Sequence, residues 1–483
     1  MGEPTDEGFD DYPLHMYSPQ QPKRAIATPA GYQLPIKVTD IQLMESLART
    51  LKISVSSEAC AHLAVLLLSH APADMLKMTM QRLDLLLRRD FIGMLPLEIS
   101  TRILEYVPII DIVKNASFVS RQWYAATTQP CLWHRLFRRQ GWGIDKERWA
   151  LYYSLPCSLT SKQPVDWRKL YSEYHRLLVN WRDGKCRVDR WESAHAESVY
   201  CLQFDQNNRL FTGSRDRTVK LWHLSETGSQ IVPLATLKGH SGSVLTLQAD
   251  DNTLITGSSD GTMCIWSMDT YTIVHRLVHP DSVLSLRFND KWLATACKDR
   301  VVRVWRRDQG YKDVFELLGH AVAINAIHLY EDTLVSASGD RTIKIWDLKT
   351  RTCVQTLADH TRGVACLDFD GTYIVSGSSD RSIRIWDAVT GACQRVIHNA
   401  HTDLVRTVMF NRKQDILVSG SYDESIKIWS LSTGALMHKI KNVHTSRVFK
   451  LMFDRSRIIS CSHDRSVSII DFAAELEHAR LLL

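Results

Sequence analysis

The rhythm of hydrophobic and polar positions changes twice along the chain. Residues 1–35 have no rhythm: six prolines stand among Gly, Ser, Gln and Asp, and such a stretch buries too little apolar surface to order itself. A disordered tail is expected there. From Ser57 apolar residues recur at helical spacing, with Ser57 placed to cap one run to Ser69 and Pro72 at the first turn of the next. In that second run Met75, Leu76, Thr79, Leu83, Leu86 and Leu87 share one face, so residues 57–88 predict two amphipathic helices. A further helical block covers residues 91–137, with Pro96 opening one run and Asp111 placed to cap another. Residues 138–184 are rich in Trp and Tyr and lack a Gly/Ser run, which predicts a packed helical linker and not a loose tether.

Beyond residue 185 the period becomes two. Runs such as DRTVKLW, DRTIKIW and DRSIRIW alternate apolar and polar positions, as short antiparallel strands do. They belong to a repeat in which a His is followed 20 to 22 residues later by an Asp, with a Ser or Thr four residues before that Asp and a Trp six after it. Seven copies start at His195, His240, His279, His320, His360, His401 and His444, and the seventh has Ile470 in place of Trp. A mean period of about 42 residues points to four-stranded blades. The fold expected is therefore multidomain: an all-α N-terminal part, then an all-β, seven-bladed propeller over residues 185–472, then a C-terminal tail, 473–483.

Ser or Thr, His and Asp recurring together invite comparison with a hydrolase triad. Seven equivalent sets at blade spacing argue instead for hydrogen bonding inside each blade, since catalysis needs one special copy beside an oxyanion hole. No Gly-rich phosphate loop and no grouped metal ligands accompany them, so neither cofactor nor metal is expected, and no catalytic residue.

Composition narrows the reading further. The chain has 59 Lys plus Arg against 53 Asp plus Glu, and a net charge of +6 over 483 residues is too dilute to argue for nucleic acid. The longest apolar runs, such as Leu63 to Leu68, are far short of the ~20 residues that span a bilayer, and the start MGEPTDEGFDD is acidic. The 11 cysteines include no C-x-x-C pair. They read as reduced core thiols, so the nucleus or cytoplasm is expected, with no membrane partner.

The repeats resemble WD repeats, and Trp346-Asp347 and Trp386-Asp387 carry the naming dipeptide. In the WD-repeat proteins that these repeats resemble, the segment before the first His supplies the outer strand of the last blade, which implies that Lys185 to Trp191 closes the ring against residues 446–471. Residues 91–137 resemble an F-box through LPLEISTRIL, then Val119-Ser120-Arg121 with Trp123, then Leu132-Trp133. Together with the helices upstream, the chain is similar to cell-division-control-type F-box/WD-repeat proteins. That resemblance implies a non-catalytic substrate receptor of a Skp–cullin–F-box ubiquitin ligase. It implies that Leu95, Pro96, Ile99, Ile103 and Leu104 dock a Skp-type adaptor, which brings cullin and RING subunits, and that residues 57–88 can form a homodimer. It also implies a propeller top face presented by the residues three and five after each repeat His and the one before each Asp. On that face Tyr200, Arg215, Lys298, Arg406, Tyr422, Arg447, Phe449 and His463 are the candidate substrate contacts. All but Lys298 come from blades six, seven and one. Arginine suits phosphate or carboxylate and the rings suit an apolar residue, so the expected target is an acidic or phosphorylated protein segment. The alternative is a non-degradative scaffold that uses the F-box only to dock the adaptor.

Overall fold

The computed structural model describes residues 72–87, 90–143, 166–205, 207–225, 231–311 and 314–476. The expected tail 1–35, residues 57–71, the linker stretch 144–165 and residues 477–483 lie outside them. The chain divides into two compact units, residues 1–95 and 96–483.

In the first unit α1 spans Ala73–Leu87, its first turn started by a bond from Leu76 N–H to the Pro72 carbonyl. Met75, Met78 and Met80 on it are exposed. The short α2, Phe91–Met94, is capped by Asp90, whose carboxylate accepts from Gly93 N–H at 2.8 Å.

The second unit opens with helices α3 (Leu97–Leu104), α4 (Ile109–Lys114), α5 (Arg121–Thr127) and α6 (Pro130–Arg139). Pro96 and Pro108 each precede a helix, where a missing N–H costs nothing. Asp111 is not the cap expected of it: it lies inside α4 and accepts from Asn115 Nδ2. Ser120 does cap α5, accepting from Trp123 N–H. Trp133 donates its indole N–H to the Thr127 carbonyl at 2.7 Å and packs edge-on against Tyr171 of α7 (Trp167–Asp183). Phe137, Trp142, Trp167 and Tyr174 continue this aromatic seam, and burial pushes the Tyr171 hydroxyl up to about 12. The packed linker is therefore a helix welded to the bundle by rings.

At its far end α7 joins the propeller. Trp181 stacks on Phe472 at 4.0 Å and donates to the Arg455 carbonyl, while Asn180 Nδ2 donates to the Phe472 carbonyl. Gly184 then turns the chain out of the helix with φ +70, a left-handed conformation that glycine adopts without strain.

Seven four-stranded antiparallel sheets follow, and their inner strands contact one another in a closed ring. The closure runs as expected: Arg187–Trp191 pairs with Val467–Asp471, Arg187 opposite Asp471 and Trp191 opposite Val467. Blade seven is thus built from both ends of the propeller chain. The boundary expected at residue 472 is too early, because Ala473 and Leu476 are buried with Trp181 and Leu177 in the core of that blade.

Candidate docking surfaces

The repeat residues lock each blade. In five blades the Trp indole N–H donates to the Ser or Thr hydroxyl at 2.8 or 2.9 Å, and in every blade that hydroxyl pairs with the His Nε2. In blades one, four, five and six the His Nδ1 pairs with the Asp carboxylate, at 2.8 Å in blades four and five. Burial alone would raise the carboxyl of Asp216, but bonds from His195 and Thr218 outweigh it and hold it below the usual carboxylate range. An Asp and an imidazole bonded in this way have no free valence for catalysis in these blades.

Those anchors also aim the top face. In all seven blades the residue before the Asp donates its N–H to the carbonyl three residues after the His, as Arg215 does to Ser198 and His463 to Arg447. One backbone clip therefore sets both side chains on the rim. Across blades six, seven and one this brings rings together: Phe449 lies 4.9 Å from Tyr200, 5.8 Å from Tyr422 and 6.0 Å from His463, all edge-on or tilted. The Arg447 guanidinium covers Tyr422, 5.0 Å from its centroid.

Five of the eight expected substrate contacts meet in this cluster. Phe449, however, is only 7% exposed, so it is the floor beneath the tyrosines and not a surface contact. Arg406 is half-buried and makes no ring contact with this cluster; its charge acts on the Cys201, Cys366 and Cys461 thiols, which burial nevertheless pushes up. Arg215 is exposed on blade one without a ring contact to the cluster. Lys298 is exposed on blade three, whose inner strand contacts those of blades two and four, so it stands outside the sector of blades six, seven and one.

The helical bundle carries a second surface. Ile99 is 49% exposed and Ile103 37%, four residues apart on one side of α3, and Leu97, Tyr106 and Ile110 are exposed nearby in sequence. Pro96 is exposed at the start of the helix, and Leu95, in the first unit, is exposed too. Leu104 is not: at 1% exposure it belongs to the bundle's own core, because its position on α3 faces α5 and α6. An adaptor cannot reach it. Such contiguous apolar exposure is costly in water unless a partner covers it.

Two family models match this chain. F-box-like matches residues 92–139, and WD domain, G-beta repeat matches residues 185–223, 231–267, 271–306, 311–347, 351–387 and 391–430. The chain is an F-box/WD-repeat protein. Its seventh blade lies beyond those repeat matches, yet it forms with Ile470 in the Trp position and with His444 bonded to Ser460 and Ser466.

Curated relatives share parts of this F-box/WD-repeat chain. "Probable E3 ubiquitin ligase complex SCF subunit sconB" of Arthroderma otae is 32% identical over 30% of this chain and 24% of its own. The sconB protein of Talaromyces stipitatus is 30% identical over 57% of this chain and 50% of its own. "F-box/WD repeat-containing protein pof1" of Schizosaccharomyces pombe is 29% identical over 33% and 36%. The chain thus spans between a quarter and a half of the length of these relatives. Among the described residues no group of side chains could hold a metal ion, and no helix is long and apolar enough to cross a membrane.

Proposed function

We propose that this protein is the substrate-recognition subunit of a Skp–cullin–F-box ubiquitin ligase. The observation that carries the reading is the pairing of two unsatisfied surfaces: an exposed apolar helix on the F-box, and an arginine-rimmed aromatic cluster on the propeller top face. Leu95, Pro96, Ile99 and Ile103 dock the Skp-type adaptor, and cullin and RING subunits follow through it. Tyr200, Tyr422, Arg447 and His463 seat an apolar side chain of the target, with Arg406 and Arg447 pairing with its acidic or phosphorylated groups. The subunit performs no bond chemistry. It raises the effective concentration of target lysines near the loaded conjugating enzyme, for which a stiff α7 is the right mechanical part. Residues 57–88 supply a homodimer contact, and the complex works in the nucleus or cytoplasm.

The test is affinity purification of the full chain from native cells, with mass spectrometry. Ile99→Asp with Ile103→Asp should remove adaptor and cullin while a target persists. Arg406→Glu with Arg447→Glu should remove the target while the adaptor stays, and phosphatase treatment reports whether phosphate is needed. Leu104→Asp is the wrong probe, because a charge in the bundle core unfolds the domain whatever its partners. Cullin absent from the wild-type purification rejects the ligase reading in favour of a scaffold.

A further inference from the structure

The inner strands carry a second repeat grammar that the docking surfaces do not use. In several blades the side chains six or eight residues after the repeat His bond to the next inner strand: Gln203 reaches the Ala249 carbonyl, Gln248 the Phe288 carbonyl, and Thr407 accepts from Leu451 N–H. At the sixth position blades one to six hold Cys201, Thr246, Ser285, Ala326, Cys366 and Thr407, all small. Blade seven holds Lys450 there. At the eighth position blades three, four and five hold Arg287, His328 and Asp368 in succession.

These residues form one electrostatic group. Lys450 feels the charges of Arg287, Asp368 and Arg406, and His328 those of Arg287 and Lys450. Three fixed cations and an imidazole therefore share a single carboxylate. Asp368 is already engaged, 3.2 Å from His328 Nε2 and accepting from Phe410 N–H at 3.0 Å. Arg287 bonds only its own neighbour's carbonyl, that of Leu286. Lys450 and Arg406 make no hydrogen bond or ion pair among the described residues, and the buried His328 Nδ1 has no partner.

Burial and the Arg287 charge push the Lys450 ammonium down to about 8, and the Asp368 carboxylate offsets them only in part. A protein does not concentrate cations in a lined channel at no cost, and here Lys450 and Arg287 share one carboxylate, that of Asp368. We propose that the central channel is a binding site for a tetrahedral oxyanion of the phosphate class, held by Lys450 and Arg287. Such an anion would tie blades three and seven together from within. The proposal does not rest on the ligase reading, since neither the rim cluster nor the F-box enters it.

Titration calorimetry of the full chain with inorganic phosphate, at ionic strength matched with chloride, tests it. Wild type should bind one phosphate saturably, and its thermal midpoint should rise with phosphate but not with chloride. Lys450→Met should weaken binding by roughly tenfold or more, as should Arg287→Met, while Lys413→Ala, on an exposed turn, should leave it unchanged. Lys450→Met should also raise the midpoint in chloride alone, since it relieves the repulsion; this reads out even where binding is weak. N-acetyl phosphoserine amide, titrated in parallel, identifies the source: tighter Lys450-dependent binding than inorganic phosphate assigns the site to a phosphorylated side chain, and weaker binding to a free ion. Absence of binding by both probes overturns the proposal, as does phosphate affinity unchanged in Lys450→Met.

Discussion

Blade three departs from its six neighbours at one residue. Two positions after the Asp, the other blades carry a hydroxyl that donates to the carboxylate at short range, as Thr218, Thr342 and Ser425 do at 2.6 Å. Blade three has Val301, and Asp299 turns instead to Arg303 at 2.7 Å. His279 Nδ1 is left buried without a partner, and burial reinforced by the Arg303 charge holds its pKa down to about 4. Val301→Thr should return Asp299 to the blade network and stabilise the protein by about 1 kcal/mol, read as a higher denaturant midpoint with unchanged slope. The same geometry sets a pH response. An imidazole whose folded pKa lies below its unfolded value of about 6.5 contributes stability above that pH and loses it as pH falls through the folded value. Stability should therefore decline between pH 6.5 and 4 as His279 and the similarly lowered His240, His320 and His401 take up protons. The decline should be shallower in His279→Gln. The anomaly at Val301 was visible in the repeat pattern, but its consequence was not, because a pattern of residue types does not say which carboxylate an arginine will capture.

Among the elements, α7 decides how the F-box bundle and the propeller are joined. Its aromatic face packs on α6 at one end and its Trp181 stacks on Phe472 at the other, so bending it would expose rings at both junctions. Trp181→Ala should cost about 3–5 kcal/mol and make α7 more sensitive to protease, with cleavage appearing before the propeller itself unfolds. At the exit from the helix Gly184 meets the His438 ring so closely that an added Cβ would lie 2.2 Å from it. Gly184→Ala should therefore lower the thermal midpoint through both the clash and the left-handed φ, at a cost above about 1 kcal/mol. The helical linker was legible from its aromatic content and missing Gly/Ser run. Its anchoring to residues 472–476 was not, for that contact joins segments nearly 300 positions apart and leaves no periodic trace.

For the whole molecule, the ring is held shut by one strand from the start of the propeller. Removing residues 185–191 would leave Val467–Asp471 with an unpaired edge and expose the blade-seven core, so the truncated chain should lose cooperative unfolding and self-associate, which light scattering would report. Closure also creates the sites. The rim cluster draws Tyr200, Tyr422 and Phe449 from three blades, and the channel group draws Arg287, His328, Asp368 and Lys450 from four. The residues of the first were gathered beforehand because the resemblance to WD-repeat proteins implies which repeat positions face the top. The second escaped notice because its signal is a break in a row of small residues, which only matters once seven inner strands face one another. The sequence by itself determined the blade count, the anchors within each blade and the order of helices before sheets, since all of these follow from local periodicity and hydrogen-bonding residue types, while the closing strand was implied by the resemblance to WD-repeat proteins. Only the tertiary structure decided that Leu104 fills a core, that Phe449 is a floor and that Lys450 stands among cations in the channel, because burial and electrostatic neighbourhood depend on segments that meet in space and not along the chain.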